Sequence, residues 1–414
     1  MYDGFIMDSS ESLLVKVTSI LKSRVSLVIG VGLAIILLIL IILTSSRSQP
    51  NQVASDKKLN LKEYTIPSDY SPFRASKERL GGKQSGVNIK QPVQQLSLSV
   101  SSASIENVLQ HKQSNGLYSY VRHQDYICKT NPSSSVCKGT FNQPYTTNGA
   151  WAAYALLGAY DSYENPQYLA DAVKEVLALR ATCHGGNTEC LWVLVQVVAV
   201  YDRTQNPLIL AFIKEQGELL LKTTSPNSML KSIEARELAM IYRLTLDKRY
   251  VDEAAKRARD VHEMFQDTST YTRRSPYPYP MESCWYMLAN YEIMKYLKPE
   301  SQKAYSADIY TFINNAQFEK NWGSFVHPIE IQPCIELTAR MAAFTKYQKA
   351  ADLSSTLWTM FVNDFWDSAD KNINLGEGGT RYKKGPVTTD PTTRLVVLSD
   401  TAYTVYLSSL FTEK

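Results

Sequence analysis

Residues 151–169 read WAAYALLGAYDSYENPQYL, and this stretch decides the fold because the chain repeats it with drift. One tyrosine of this stretch, Tyr160, has counterparts at Tyr201 and Tyr242, at intervals of 41 residues. Each of the three is followed five residues later by an Asn or Asp, in turn Asn165, Asn206 and Asp247. A fixed period of this size indicates stacked supersecondary units, because one amphipathic hairpin cannot bury its apolar face alone.

Each repeated unit reads as two helices joined by a turn. Residues 150–160 are apolar on nearly every face, which a helix tolerates only when other protein surrounds it. After the turn at Asn165-Pro166, apolar residues recur at steps of three and four, with charged residues between them. We therefore predict an inner helix followed by an outer helix with one solvated side.

The pattern predicts six inner helices. They start near Trp151, Trp192, Glu234, Cys284, Cys334 and Asp400. Five outer partners follow Tyr168, Leu208, Tyr250, Ser301 and Tyr347, and the last inner helix has none after it. A helix at residues 104–110 could supply the missing partner, which a closed ring requires and an open helical-repeat solenoid does not. Residues 117–121 and 323–327 are predicted to be short strands on the rim.

With this hairpin phrase and this count of six, residues 101–414 resemble the six-hairpin glycosidase-like superfamily. That resemblance implies an all-α fold, the (α/α)6 toroid. The superfamily includes many glycoside hydrolases, some polysaccharide lyases and some sugar epimerases, so the resemblance implies a carbohydrate-active enzyme without naming its reaction.

Composition excludes a nucleic-acid-binding class. The net charge is only +4 over 414 residues, and no Lys/Arg stripe is interleaved with aromatic residues as a basic groove would require. No cofactor is predicted.

The N-terminal region predicts a membrane anchor. Residues 25–44 form an uncharged apolar run, and 20 helical residues span roughly 30 Å, the thickness of a bilayer core. A cleaved signal peptide is the alternative, but no Ala-x-Ala-like cleavage site follows. We predict a cytoplasmic segment at 1–24, a single transmembrane helix at 25–44, a polar linker at 45–100 and an extracytoplasmic domain at 101–414.

The cysteines support an extracytoplasmic domain. All six follow the apolar run: Cys128, Cys137, Cys183, Cys190, Cys284 and Cys334. The first two and the next two bracket short polar loops, which is typical of local disulfides in an oxidising compartment. The last two occupy equivalent places on adjacent inner helices, so a bridge between them is expected. Glycosylation sequons are absent from the chain, which favours a bacterial source.

Carboxylates cluster at the predicted starts of the inner helices, where one funnel is expected. Glycoside cleavage needs one protonated and one ionised carboxyl group flanking the bond. Glu282 and Asp400 are the preferred acid and base, because Glu282 follows an aromatic loop and Asp400 follows a long Gly-rich loop. Glu234 and Glu330 are further candidates. Each has an alternative reading as a helix cap, because acidic residues favour the first helical turn.

Aromatic residues crowd the same rim, where flat rings could stack on sugars or could equally be core packing. The candidate substrate-binding residues are Tyr145, Trp151, Tyr277, Tyr279, Trp285, Trp322 and His327. Arg273 and Arg274 would suit an acidic sugar such as a uronate, through bidentate contacts to its carboxylate.

The sequence therefore predicts a membrane-anchored carbohydrate-active enzyme, most simply a glycoside hydrolase acting on an oligo- or polysaccharide. The alternatives are a catalytically inactive toroid that binds a glycan or a protein, and an open repeat scaffold. A zinc site on Cys183, His184 and Cys284 is an alternative to the disulfides, but an oxidising compartment favours the disulfides, and no metal site is predicted.

Overall fold

The computed structural model describes residues 80–81, 86–119, 128–129, 132–133, 146–183, 188–268, 271–272, 279–297, 299–325, 328–367, 372–373 and 398–412. All of them belong to the unit Leu61–Lys414, one of two into which the chain divides. The predicted cytoplasmic segment and transmembrane helix lie outside the described residues. Among the described residues, none of the helices combines the length and the apolar character that a membrane span requires.

Twelve helices longer than two turns carry the described fold. In chain order they are α1 Gln91–Leu109, α2 Thr146–Tyr163, α3 Pro166–Thr182, α4 Leu194–Thr204, α5 Pro207–Lys222, α6 Ser228–Thr245, α7 Lys248–His262, α8 Met281–Met294, α9 Pro299–Asn315, α10 Pro328–Thr345, α11 Gln348–Phe365 and α12 Leu398–Phe411. Shorter elements are the 3-10 helices Thr188–Val193 and Trp322–Ser324, the one-turn helix Phe318–Asn321, and strands β1 Trp366–Asp367 and β2 Asn372–Ile373. The strands pair antiparallel, with Trp366 opposite Ile373.

The even-numbered helices form a closed inner ring. Each packs against the next, from α2 through α4, α6, α8 and α10 to α12, and α12 packs back against α2. The odd-numbered helices lie outside and pack on the inner helices next to them, with α1 mainly against α12. The predicted all-α toroid is therefore confirmed, and the open repeat scaffold is wrong. The predicted closing helix exists, but it begins at Gln91, inside the stretch predicted to be linker.

The 41-residue period encodes the turn between an inner and an outer helix. Glu164, Gln205 and Leu246, which share that spacing, all have a positive φ between 50° and 60°. The residue after each of them caps the next helix: Asn165 accepts from the backbone N–H of Gln167, Asn206 from Leu208 and Asp247 from Arg249. Such caps satisfy backbone donors that a helix start leaves unpaired.

One glycine allows the ring to close tightly. A Cβ at Gly158 in α2 would lie 2.8 Å from Cα of Tyr406 in α12, closer than non-bonded carbon atoms approach. The close approach of the two helices lets the rings of Tyr154 and Tyr406 stack with centroids 3.6 Å apart. Any larger residue at position 158 would separate the first and last inner helices.

The rim differs from the prediction. In place of a strand over residues 117–121, the described part shows a single bridge between Lys112 and Tyr118. In place of a strand over 323–327, Trp322–Ser324 form a 3-10 helix. Five of the six inner helices begin two to six residues before their predicted starts, for example at Ser228 and Pro328. The exception is α4, which follows a 3-10 helix.

Two disulfides are described. Cys183 is bonded to Cys190 across a short loop, and Cys284 in α8 is bonded to Cys334 in α10, which joins two adjacent inner helices. Both pairings were predicted. Cys128 is also disulfide-bonded, and Cys137 lies outside the described residues.

Glu175 in α3 tests how this outer helix packs against Tyr118, in the segment that follows α1. Burial raises its pKa to about 8, although the backbone N–H of Tyr118 and two lysines favour the ionised form. Because the folded pKa lies above the ordinary value of 4.5, this group's contribution to stability is largest below pH 4.5 and is lost as the pH rises to about 8. We expect Glu175→Gln to raise the free energy of unfolding by about 1–3 kcal/mol at pH 8.

Urea unfolding of both proteins at pH 5 and pH 8 would measure this effect. The gain from Glu175→Gln should be larger at pH 8 than at pH 5. A pH-independent difference would show that the Glu175 carboxyl is not held protonated by the fold.

Candidate active site

The N-terminal ends of the inner helices share one face of the ring, because each inner helix is followed by an outer helix that runs back. Two predicted carboxylates lie in first turns at this face, Glu282 in α8 and Glu330 in α10. Both are buried, with 4% and 8% of their surfaces exposed. The disulfide between Cys284 and Cys334 ties these two helices together close to both residues.

An aromatic cluster, Trp151, Trp285 and Tyr403, lies between the helices beneath this face. The Tyr403 ring is 5.4 Å from Trp151 and 6.5 Å from Trp285 between centroids. The three residues come from α2, α8 and α12, which meet only because the ring closes. The predicted rim aromatics Trp151 and Trp285 are therefore brought together, and Tyr403 joins them although the sequence analysis did not select it.

Glu336 lies below the aromatic cluster, eight residues after the start of α10, which is roughly 12 Å along the helix. Arg236 Nη2 is 2.5 Å from its Oε1 and Arg236 Nη1 is 3.3 Å from its Oε2. Arg340 Nε donates to Oε1 at 2.7 Å, and the Tyr403 hydroxyl donates to Oε2. Glu336 is thus an anchor on which α6, α10 and α12 converge.

The electrostatics of this anchor follow from its partners. Burial opposes ionisation of Glu336, but the charges of Arg236 and Arg340 and their hydrogen bonds outweigh it and lower its pKa to about 2. Burial and the neighbouring carboxylate raise the pKa of Tyr403 well above its ordinary value. Glu336 is therefore an ionised acceptor at neutral pH, and Tyr403 is a fixed donor to it.

A charged cluster continues from Glu336 toward the C-terminal ends of the inner helices. Arg203 Nη2 lies 2.7 Å from Asp161, Arg243 Nη2 lies 2.6 Å from Asp202, and Lys295 Nζ lies 2.6 Å from Glu292. All six side chains are at least nine-tenths buried. The sequence carried a signal for this cluster that was missed, because Asp161, Asp202 and Arg243 share the 41-residue spacing directly after Tyr160, Tyr201 and Tyr242.

Glu234 has a structural role. Its carboxylate accepts from the backbone N–H of Ser225 at 3.0 and 3.2 Å and pairs with Arg257 of α7 at 2.7 Å. The same Arg257 also donates to the carbonyl oxygens of Leu220 and Thr223. Glu234 lies in the second turn of α6 and is buried, and it secures the loop between α5 and α6.

Trp322 and Tyr279 are two further predicted substrate-binding residues that the structure describes. The indole N–H of Trp322 donates to Asp364 of α11 at 2.5 Å, and its ring packs on Phe325 and Phe365. Trp322 therefore packs toward an outer helix, and its predicted contact with substrate stays a prediction. Tyr279 is partly exposed in the loop before α8, and burial raises its pKa to about 12.

The side chains of the remaining predicted residues are not among those that the structure describes. Asp400 lies in the first turn of α12, and its side chain is not described. The others fall outside the described residues: Tyr145, Arg273, Arg274, Tyr277 and His327. The alternative zinc site is excluded because Cys183 and Cys284 each form a disulfide. Among the residues that the structure describes, no group of His, Cys, Asp and Glu could hold a metal ion.

Comparison with known structures finds the same ring. D-mannose isomerase aligns with a TM-score of 0.52 at 13% identity, over 78% of this chain and 97% of that one. The chain shares with this structure its closed ring of six helical hairpins, an (α/α)6 toroid. A mutant of unsaturated glucuronyl hydrolase from Streptococcus agalactiae aligns with a TM-score of 0.50 at 11% identity, over 85% of this chain and 98% of that one. No protein-family model matches the sequence, and no curated protein matches it. At these identities the similarity concerns the fold.

Proposed function

We propose that this six-hairpin protein is a carbohydrate-active enzyme that cleaves a glycosidic bond with Glu282 and Asp400 as its acid and base. One observation carries the proposal. Trp285 and Tyr403 lie 6.5 Å apart across the ring, and the two candidate carboxylates occupy the positions three residues before them on the same helices. Residues three apart lie about one turn apart on one side of a helix, so positions 282 and 400 lie at the same end of the ring, one turn from the aromatic cluster.

This placement suits the chemistry of glycoside cleavage. Two carboxyl groups must flank the scissile bond, about 5 Å apart for a retaining mechanism and about 6.5–9.5 Å for an inverting one. Two inner helices separated by one neighbour, as α8 and α12 are by α10, can hold two carboxyl groups at such a separation. Trp151 and Trp285 offer apolar faces below them for the sugar ring, and Glu330 supplies a third carboxylate at the same face.

The similar structures favour a saccharide as the substrate, because the printed names of the two aligned proteins are those of a sugar isomerase and a glucuronyl hydrolase. We extend this to an acidic sugar, since Arg273 and Arg274 in the loop before α8 would pair with a uronate carboxylate. We propose hydrolysis as the reaction. The assay described below distinguishes it from the alternative, elimination.

We also propose that residues 25–44 anchor the enzyme in a membrane with the helical domain on the extracytoplasmic side. The two described disulfides support that side, because disulfides persist in oxidising compartments. Protease added to intact cells should digest the helical domain and leave the first 24 residues protected. Protection of the helical domain in intact cells, with digestion after lysis, would contradict the proposed orientation.

Activity is tested with the purified full-length chain on a panel of bacterial surface polysaccharides. Release of reducing ends reports hydrolysis, and release of unsaturated uronate reports elimination. We expect Glu282→Gln and Asp400→Asn each to lower kcat/KM at least a hundredfold, the usual loss for a general acid or base.

Glu218→Gln is the matched control, because Glu218 is an exposed carboxylate on the outer helix α5. It should leave turnover unchanged. Turnover that is equally indifferent to Glu282→Gln and Asp400→Asn would contradict the catalytic assignment. A folded protein that binds a glycan and turns over none of the panel would favour a binding toroid.

A further inference from the structure

The end of the ring opposite the candidate active site is formed by the turns in which inner helices pass to outer helices. We call this end the basal face. It consists of residues 80–81, 86–90, 163–166, 204–208, 245–249, 294–297, 299–300 and 344–349.

Exposed apolar side chains gather at the basal face. In the described part of the chain, five large apolar residues are exposed, and four of them belong to four different basal turns: Tyr163, Leu208, Leu246 and Phe344. The fifth, Leu98, lies beside Tyr163, whose hydroxyl donates to its carbonyl oxygen at 3.1 Å. Leu246 is the most exposed of them, at 65%. Singly exposed apolar residues are common, so the informative observation is that these share one end of the ring.

The chain also enters the helical domain at the basal face. The backbone N–H of Gly81 donates at 2.9 Å to a carbonyl oxygen in the last turn of α12. Asn88 exchanges two hydrogen bonds, of 3.0 and 2.9 Å, with the side chain of Gln348 at the start of α11. Residues 45–79 connect this point to the proposed membrane segment 25–44, and a chain of that length reaches at most roughly 120 Å. The basal face is therefore the end of the ring that the chain reaches first from the proposed anchor.

The charges of the basal face suit an anionic surface. Apart from the ion pair between Arg249 and Asp247, its exposed charged residues are Lys90, Lys248, Lys346, Lys349, Glu164 and Glu300. Lys248 and Lys346 each follow an exposed apolar residue by two positions, Leu246 and Phe344. An apolar side chain beside a lysine is typical of contacts with a bilayer surface, because the first enters the interface and the second stays among the headgroups.

We propose that the basal face docks on an anionic bilayer surface, with Tyr163, Leu208, Leu246 and Phe344 inserted at the level of the headgroups. Four turns that are separated around one end of the ring can contact a plane together, whereas they form no single cleft for a peptide. The inference rests on the proposed membrane anchor and not on the proposed reaction. Because the anchor keeps the domain near the bilayer, weak contacts at each turn suffice.

Docking in this way fixes the direction of the candidate active site. Inner helix α2 has 18 residues and is about 27 Å long, and the N-terminal ends of the inner helices lie at the far end of that length from the basal face. The face that carries Glu282 and Glu330 would then open away from the lipid headgroups. The substrate class favoured by this orientation is a polysaccharide that approaches from the side away from the membrane.

The test uses the full-length chain reconstituted into vesicles of phosphatidylcholine and phosphatidylglycerol in equal amounts. Described cysteines are all disulfide-bonded, so a cysteine introduced as Leu246→Cys can carry a nitroxide label. We expect this label to be accessible to oxygen, which enters lipid, and to lose accessibility to a water-soluble nickel complex. Lys222→Cys is the matched control, because it is exposed at the opposite end of outer helix α5, and its label should stay accessible to the nickel complex.

Substitution of two basal leucines tests whether their side chains hold the face on the bilayer. With the label at Phe344→Cys, we expect the double change Leu208→Gln/Leu246→Asn to lower the ratio of docked to undocked chains about tenfold. The reason is that two half-exposed leucines together lose about the transfer free energy of one buried leucine. Lys214→Gln, an exposed change midway along α5, should leave the ratio unchanged.

The outcomes separate docking from anchoring. Chains that alkaline carbonate releases from the vesicles would disprove the anchor and overturn this inference with it. Chains that resist carbonate, but whose Leu246→Cys label is as accessible to the nickel complex as the Lys222→Cys label, would overturn the docking and leave the anchor standing. Dipolar broadening between Leu246→Cys labels that grows with the protein-to-lipid ratio would assign the basal face to a second copy of the chain and overturn the proposal as well.

Discussion

Glu336→Gln is expected to lower the free energy of unfolding by about 3–5 kcal/mol at pH 7, the usual cost of breaking a buried ion pair by removing one partner. The substitution preserves shape and removes only the charge. It leaves Arg236 and Arg340, both buried, without the carboxylate that now joins them. The loss should be measured by urea unfolding, with the linear extrapolation applied to both proteins.

The effect of Glu336 should also depend on pH in a defined direction. Its folded pKa of about 2 lies below the ordinary value of 4.5, so its stabilising contribution is present above pH 4.5 and is lost as the pH falls toward 2. The shift corresponds to about 3 kcal/mol, which agrees with the expected cost of the substitution. The difference between wild type and Glu336→Gln should therefore shrink on acidification.

Glu218→Gln is the matched control for this substitution. Glu218 also accepts from an arginine, Arg249, at 2.7 Å, but 44% and 60% of the two side chains are exposed. Exposed pairs contribute between 0 and about 1 kcal/mol, because water screens them. Equal losses for the two Glu→Gln changes would mean that Glu336 is not the buried anchor of the ring.

Removing the disulfide between Cys284 and Cys334, as the double variant Cys284→Ala/Cys334→Ala, is expected to lower the free energy of unfolding by about 4 kcal/mol on the chain-entropy relation. The expected loss is large because the bond closes a loop over a sequence separation of 50 residues. Cys284 also lies between Glu282 and Trp285, so the bond holds the candidate active site at the joint between α8 and α10.

The second described disulfide is its control. Cys183 and Cys190 are as deeply buried, but they are separated by only 7 residues, so their double Ala variant should lose about 2.5 kcal/mol. Both variants lose similar packing, and the comparison therefore isolates the loop length. An equal loss for the two would show that the link between inner helices adds nothing beyond local packing.

Much of the fold was predictable because its determinants are local. The turn between an inner and an outer helix depends on a left-handed residue, a capping Asn or Asp and a helical face within a few residues, and the chain repeats all three at intervals of 41. The predicted start of helix α1 is too late because its buried face includes Ser97 and Ser101, which leave no strong apolar period. Only its packing against α12 identifies it as an outer helix.

The candidate site was predictable in part. Glu282, Glu330, Trp151 and Trp285 were selected by their positions at helix starts, and the structure gathers the two tryptophans around Tyr403. Trp322 was selected on the same grounds, but a 3-10 helix turns its indole toward Asp364. Which way a rim residue faces depends on the path of the loop, and the loop's path depends on the helices it joins.

The sequence by itself determined the number of hairpins, their alternation of buried and solvated helices, their turns and the pairing of cysteines in equivalent places. Only the tertiary structure decided which charges meet inside the ring. Glu336 and Arg236 are 100 residues apart, and Tyr154 and Tyr406 come from the first and last inner helices. Periodicity reports which face of a helix is buried, whereas the partner of a buried charge is set by closure of the ring.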